Sequence, residues 1–125
     1  MKYAIDHELQ KKMEEIIGKL GLYHIQKNNV ICIRSKGTST SRTIARCHAL
    51  GKVMQLGLNR DAFYVLEFLT ERFDKLSQED KIKTIIHELM HIPKSFGGGF
   101  KHHDYVSIKN VDKLFRKYKE VNENL

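Results

Sequence analysis

The stretch SQEDKIKTIIHELMHIP, residues 77–93, predicts one helix with well-defined ends. Ser77, followed three residues later by Asp80, has the pattern of an amino-terminal helix cap. The acidic side chains of this first turn also favour the positive end of the helix dipole. Pro93 ends the helix, because a proline pushes the residue before it out of helical geometry. We therefore expect a helix from about residue 78 to residue 91 or 92.

This helix carries two different faces. Placed at about 100° per residue, its apolar side chains cluster on one side. His87 and His91 are four residues apart, so they stack one turn above the other, on roughly the opposite side. Histidines that only filled a core would fall within the apolar stripe. The stripe consists of Ile82, Ile85, Ile86 and Leu89.

The histidine face has the spacing of a metal site. Two imidazoles at positions i and i+4 can both reach one ion, at Zn–N distances of about 2.0–2.1 Å. Glu88 projects beside such an ion, where it can take a proton from a water whose pKa zinc lowers to about 7. The pattern therefore predicts His87 and His91 as metal ligands and Glu88 as the catalytic base. Zinc is the default metal for histidine ligands, although imidazole also suits iron, nickel and copper.

A catalytic zinc usually has three protein ligands and one open position. The metzincin pattern would need glycine at position 94 and histidine at position 97, whereas the chain has Lys94 and Gly97. A glutamate ligand about twenty residues beyond the motif is also missing, since the next glutamate is Glu120. Both of these known arrangements are therefore excluded.

Two adjacent histidines, His102 and His103, are the better candidates for the third ligand. Phe96 can anchor this segment in the core, and the three glycines at 97–99 can turn the backbone towards the histidine face. Adjacent histidines point in different directions, so we expect only one of the two to bind. The other either faces solvent or contacts the charge that develops on a substrate oxygen. The residues alone leave this choice open.

The rest of the chain predicts two further helices and a small sheet. Residues 6–20 are amphipathic, and a last helix has one apolar stripe across 111–118. Short apolar runs predict strands, and we expect 52–58 to be the hairpin partner of the run before it. The expected fold is α+β, with a mainly antiparallel sheet of three to four strands packed with the motif helix and with N- and C-terminal helices. The predicted strands are 30–35, 43–50, 52–58 and 62–69.

Length and composition agree with one domain spanning residues 1–125. Cys32 and Cys47 lie fifteen residues apart in apolar runs without a C-x-x-C pattern, which predicts two buried free thiols in a reducing cytosol. A signal peptide and a membrane-spanning run of about 20 apolar residues are both missing. We therefore expect a cytoplasmic protein without a membrane partner.

The formal net charge of +7 raises the odds of an acidic partner such as nucleic acid. Arg34, Lys36, Arg42 and Arg46 bracket a Ser/Thr-rich loop that could contact phosphate. Such a loop is more often simply solvated. The expected partner is a protein or peptide substrate, with a weak nucleic-acid contact through the basic surface as a secondary expectation.

Most of the chain, from about residue 42 to residue 118, resembles a known family. The resemblance rests on the final helix and on two segments. They are RTIARCHALGKVMQLGL and FYVLEFLTERFDKLSQEDKIKTIIHELMHIPKSFGGGFKHHD. They are similar to the zinc metallopeptidases of archaea and phages, zincin-like proteins related in plan to the SprT-like proteases. This resemblance implies Zn²⁺ as cofactor, with His87, His91 and His103 as its ligands and Glu88 as base. It favours His103 over His102, although the family pattern has one histidine where this chain has two.

The leading expectation is thus a zinc-dependent peptidase. If the strand 62–69 lies at an edge of the sheet, an extended substrate could pair with it. One alternative is a zinc hydrolase that acts on a phosphodiester or at nucleic acid. Another is a non-catalytic module in which the metal only fixes the C-terminal segment. Four protein ligands would favour that module, and Asp104 or both His102 and His103 could supply the fourth.

Overall fold

The computed structural model describes residues 1–123, which form one four-stranded sheet and a set of helices around it. The strands are β1 (Lys2–Ile5), β2 (Val30–Lys36), β3 (Ala45–Ala49) and β4 (Tyr64–Leu69). The helices are α1 (His7–Leu20), α2 (Lys52–Leu58), α3 (Thr70–Phe73), α4 (Gln78–Met90) and α5 (Ile108–Glu123), with a 3₁₀ turn at Lys27–Asn29.

The strands are arranged in the order β1-β2-β4-β3. The pairs β1/β2 and β3/β4 are antiparallel, and the central pair β2/β4 is parallel. The predicted α+β fold with a mainly antiparallel sheet is therefore confirmed. The two edges of the sheet are β1 and β3.

The core lies between one face of the sheet and the helices α1, α4 and α5. Alternate strand residues point to this face, and Cys32, Leu66 and Phe68 are fully buried there. The Cys32 sulfur lies 3.6 Å from the sulfur of Met13, which fixes α1 on this side of the sheet. The helix α4 packs on both β3 and α5, so the motif helix is held between the edge of the sheet and the last helix.

The ends of the two best-predicted helices follow their sequence signals. The Asp6 carboxylate accepts a hydrogen bond from the Leu9 amide at 2.9 Å, and Gly21 ends α1 in the left-handed conformation with φ of 63°. The Ser77 hydroxyl accepts from the Asp80 amide at 3.1 Å at the start of α4. The helix α4 ends at Met90, just before the second histidine of the motif.

The prediction that 52–58 is a strand is wrong, because this segment is the helix α2. Gly51 precedes it in an extended conformation, and Asn59 ends it in the left-handed conformation with φ of 52°. Its apolar side chains are not core residues, since Val53 is 84% and Leu56 is 85% exposed. A short apolar run fits either a strand or a helix, and neighbouring backbone geometry decides between them.

Two other details of the sheet differ from expectation. The strand β1 was not predicted, and its four residues are exposed. The strand β4 is not an edge strand, since it lies between β2 and β3. A substrate therefore cannot pair with it, and the edge nearest the motif helix belongs to β3.

Both cysteines are free thiols, as predicted; Cys32 is buried, whereas Cys47 is only half-buried. Burial raises the pKa of each thiol to about 12. Within residues 1–123, no helix has both the length and the apolar character needed to cross a membrane.

Candidate metal centre

Three histidines converge at the end of the motif helix. His87 and His91 come from α4 and the residue that follows it, and their ring centroids are 5.0 Å apart. The ring of His103 lies 5.8 Å from that of His87 and 5.1 Å from that of His91. One nitrogen of each ring can be chosen so that all three lie within 4.8 Å of one another. His102 and His103 are both exposed, but only His103 belongs to the cluster.

The spacing of the first two nitrogens suits a tetrahedral ion. Zn–N bonds of about 2.0–2.1 Å at tetrahedral angles place two ligand nitrogens about 3.3 Å apart. The Nε2 atoms of His87 and His91 lie 3.3 Å apart. The three histidines therefore fit a zinc ion in chemistry, and the His87/His91 pair also fits it in spacing.

The orientation of the His91 ring is fixed by the segment that carries the third histidine. Its Nδ1 lies 2.7 Å from the Lys101 carbonyl oxygen, which can only accept a hydrogen bond. Nδ1 must therefore carry a proton, so in the neutral ring Nε2 keeps its lone pair. The Lys101 amide in turn donates to the His91 carbonyl at 2.7 Å. These two bonds tie the end of α4 to the chain two residues before His103.

His87 is suited to bind a cation because its neutral form is favoured. Burial, together with the neighbouring rings of His91 and His103, lowers the pKa of His87 from 6.5 to about 4. A metal ion binds the neutral imidazole, so near pH 7 no proton has to be displaced from this ring.

Glu88 lies beside the cluster and is only 5% exposed. Burial raises the pKa of its carboxyl from 4.5 to about 7. A carboxyl with a pKa near neutrality can both take up and release a proton at ordinary pH, as a general acid or base must. Buried acids of this kind destabilise a fold unless they are paired, which favours a functional role.

The glycine turn before the third histidine is held by two side chains that sequence reasoning missed. The Tyr64 hydroxyl accepts from the Gly98 amide at 2.9 Å and donates to the Gly99 carbonyl at 2.8 Å. The Gln55 amide donates to the Gly97 carbonyl at 2.9 Å. The one available signal was the polar tip of Tyr64 in a mainly apolar strand, because a buried tyrosine hydroxyl usually has a partner.

Gly98 is required at its position for two reasons. Its φ of +100° is unfavourable for other residues, and an added Cβ would lie 2.5 Å from the Leu50 carbonyl oxygen. Phe96, predicted to anchor this segment, is buried and packs edge-on against Tyr64 at 5.0 Å. The turn is thus fixed on both sides, and it determines where residues 100–103 lie.

Two hollows open on either side of Glu88. A cavity of about 360 Å³ contains the three clustered histidines together with His102 and Cys47 among its lining residues. A cleft of about 600 Å³ runs along α4 towards its amino terminus. Ala45, His87 and Glu88 line both, so the two hollows meet at the proposed base.

The edge of β3 that faces away from β4 borders the same cavity. The Leu69 amide donates to the Ile44 carbonyl and the Leu50 amide to the Phe63 carbonyl, so the even-numbered residues of β3 bond to β4. In an antiparallel pair the intervening residues direct their backbone groups outwards. The backbone N–H and C=O groups of Ala45 and Cys47 therefore point away from the sheet, next to Glu88.

Comparison with known proteins gives a family but no individual relative. The family model described as "Putative phage metallopeptidase" matches residues 1–123. No curated protein and no solved structure matches significantly. The family implies a metal ion, in agreement with the three-histidine cluster. Since the match covers nearly the whole chain, the chain belongs to this phage metallopeptidase family.

Proposed function

We propose that the protein is a zinc-dependent peptidase in which His87, His91 and His103 hold the metal and Glu88 is the general base. The observation that carries this proposal is the convergence of one nitrogen from each histidine within 4.8 Å, with a buried glutamate next to them. His103 is preferred to His102 because only His103 belongs to the cluster.

A bound zinc ion would supply a Lewis acid for the scissile carbonyl and would lower the pKa of the attacking water to about 7. The chain's own residues do the rest. His91, oriented by its bond to the Lys101 carbonyl, presents Nε2 to the ion. Glu88 takes the proton of the water and then delivers it to the leaving amine nitrogen. Because burial raises the pKa of Glu88, the protonated intermediate form of this carboxyl is accessible near pH 7.

The substrate is an extended peptide that pairs with the free edge of β3. The outward backbone groups of Ala45 and Cys47 can form hydrogen bonds with such a peptide, as in other cases of strand addition. Both residues line the cavity that holds the histidines, so a paired peptide passes beside Glu88. This assignment replaces the earlier expectation that the strand 62–69 receives the substrate.

The test is the substitution Glu88→Gln, which keeps the shape of the side chain but removes its basicity. The variant should bind one zinc ion per chain as the wild type does, and it should no longer cleave denatured protein substrates. Glu79→Gln is a matched control, because Glu79 is an exposed acid on the same helix. Undiminished cleavage by Glu88→Gln would refute the proposed mechanism.

The same assays distinguish the alternatives. Stoichiometric zinc binding without peptide cleavage by the wild type would favour a non-catalytic module. Hydrolysis of a phosphodiester instead of a peptide would favour a zinc hydrolase at nucleic acid. Two of the basic residues proposed for a phosphate contact are already paired, Arg34 with Asp6 at 2.7 Å and Arg46 with Glu67 at 3.6 Å.

A further inference from the structure

The cleft of about 600 Å³ beside Glu88 has a predominantly apolar lining. Its floor is the helix α4, and its walls are the first turns of α5 and the chain that leads into β3. Ile44, Leu76 and Val111 contribute apolar side chains, and Thr84 lines the cleft from α4, one turn before Glu88. A hollow of this size and character is typical of a small-ligand or side-chain site.

Apart from Glu88, the charged residues that line the cleft balance one another. Lys83 lies 3.2 Å from Asp112 and 3.4 Å from Glu79, so its charge is already compensated. Arg42 and Asp80 add one charge of each sign to the lining. Apart from Glu88, the lining therefore carries two basic and two acidic side chains, with no excess charge that would select an acidic or a basic ligand, and its apolar surface is what distinguishes ligands.

The cavity on the other side of Glu88 differs in character. Its lining includes Arg46, Lys101 and His102 as well as the clustered histidines. A peptide paired with the edge of β3 crosses from one hollow to the other where they meet, at Ala45 and Glu88. The two residues that flank the reacting bond thus meet different surroundings, one mainly apolar and the other about equally polar and apolar.

We propose that the cleft is a specificity site that binds a bulky apolar side chain, of leucine or phenylalanine size, on one side of the cleaved bond. The specificity-determining residues are Ile44, Leu76 and Val111, with Thr84 limiting the depth of the site. The proposal rests on the proposed peptidase function for the position of the cleaved bond. The cleft's preference for an apolar group does not depend on catalysis.

The first test is to identify cleavage sites in a mixture of denatured proteins by mass spectrometry. Wild-type protein should favour leucine, phenylalanine or methionine over alanine and aspartate by about tenfold or more, at one position next to the cleaved bond. Thr84→Phe, which fills the cleft, should shift the preference at that position to small residues. Val53→Phe, on an 84% exposed position of α2, should leave the preference unchanged. Cleavage by the wild type without any side-chain preference would overturn the proposal while leaving the peptidase function intact.

The second test does not require cleavage. Zinc-loaded Glu88→Gln protein is titrated with N-acetyl-leucine amide and with N-acetyl-alanine amide, and the methyl NMR signals of Ile44, Leu76 and Val111 are followed. The leucine probe should shift these signals at concentrations about tenfold lower than the alanine probe. If the leucine probe shows this preference but the wild-type protein cleaves no peptide, the cleft proposal stands and the peptidase function fails. Equal responses to the two probes, or none at these methyl groups, would overturn the proposal.

Discussion

The buried Glu88 carboxyl should destabilise the metal-free protein above neutral pH. Its pKa is raised from 4.5 to about 7 in the folded chain. Between these values the folded state holds a proton that the unfolded chain has released, so stability present at low pH is lost as the pH rises through this window. Each pH unit between the two values is worth about 1.4 kcal/mol, so the full loss is about 3 kcal/mol. The glutamine side chain of Glu88→Gln cannot ionise, so this variant should not lose stability in this window.

The assay is chemical unfolding of wild type and Glu88→Gln, both stripped of metal with a chelator, at pH 5 and pH 8. The difference in unfolding free energy between the two proteins should grow in favour of the variant by about 2 to 3 kcal/mol from pH 5 to pH 8. At pH 8 the thermal unfolding midpoint of Glu88→Gln should be about 10 °C higher than that of the wild type. The pKa of His87 is lowered to about 4, so its contribution makes the folded protein less stable as the pH falls below 6.5. Comparing the two proteins at the same pH cancels this contribution.

The exposed acid Glu79, changed to glutamine, controls for the substitution itself and should alter stability by less than about 1 kcal/mol. A stability difference between wild type and Glu88→Gln that is the same at pH 5 and pH 8 would refute the reasoning. Such a result would mean that the folded and unfolded states release the Glu88 proton at the same pH. The carboxyl would then lack the raised pKa that makes it suitable as a base.

Three further substitutions test how the glycine turn positions the third histidine. Gly98→Ala places a Cβ 2.5 Å from the Leu50 carbonyl oxygen. This substitution should lower the unfolding free energy by more than about 1 kcal/mol, measured by chemical unfolding, and should weaken zinc binding, measured by chelator competition. Tyr64→Phe removes one donor and one acceptor from the turn and should cost about 1–3 kcal/mol. Gln55→Ala should cost less, since Gln55 is only half-buried whereas Tyr64 is fully buried, yet should also weaken zinc binding. Zinc affinities equal to that of the wild type in all three variants would show that the turn does not position His103.

The motif helix could be predicted because all of its signals are local. The cap at Ser77, the stop at Pro93 and the placement of His87 and His91 on one face follow from spacing within seventeen residues. The family follows from the same region and its neighbours, and the match over residues 1–123 confirms it. Local geometry, however, does not show which distant residues complete a site.

The parts that could not be predicted depend on contacts between distant segments. The order of the strands decides whether β3 or β4 lies at the edge, and nothing within either strand determines this order. The helix α2 was mistaken for a strand because its apolar residues are exposed rather than packed in a core, so their pattern carries no burial signal. Tyr64 acts on the glycine turn from 34 residues away along the chain, and no sequence spacing indicates that contact.

Zinc binding by wild type, His102→Ala and His103→Ala tests the central claim most directly. Each protein is dialysed against zinc with a competing chelator, and bound metal is measured by elemental analysis. We predict that the wild type binds one zinc ion per chain and that His102→Ala binds zinc with an affinity within a few-fold of the wild type. The zinc affinity of His103→Ala should be lower by more than about 100-fold, because removal of a ligand should exceed the 10–100-fold effect of residues that only support ligands. Retention of zinc by His103→Ala, or no zinc in the wild type, would contradict the account.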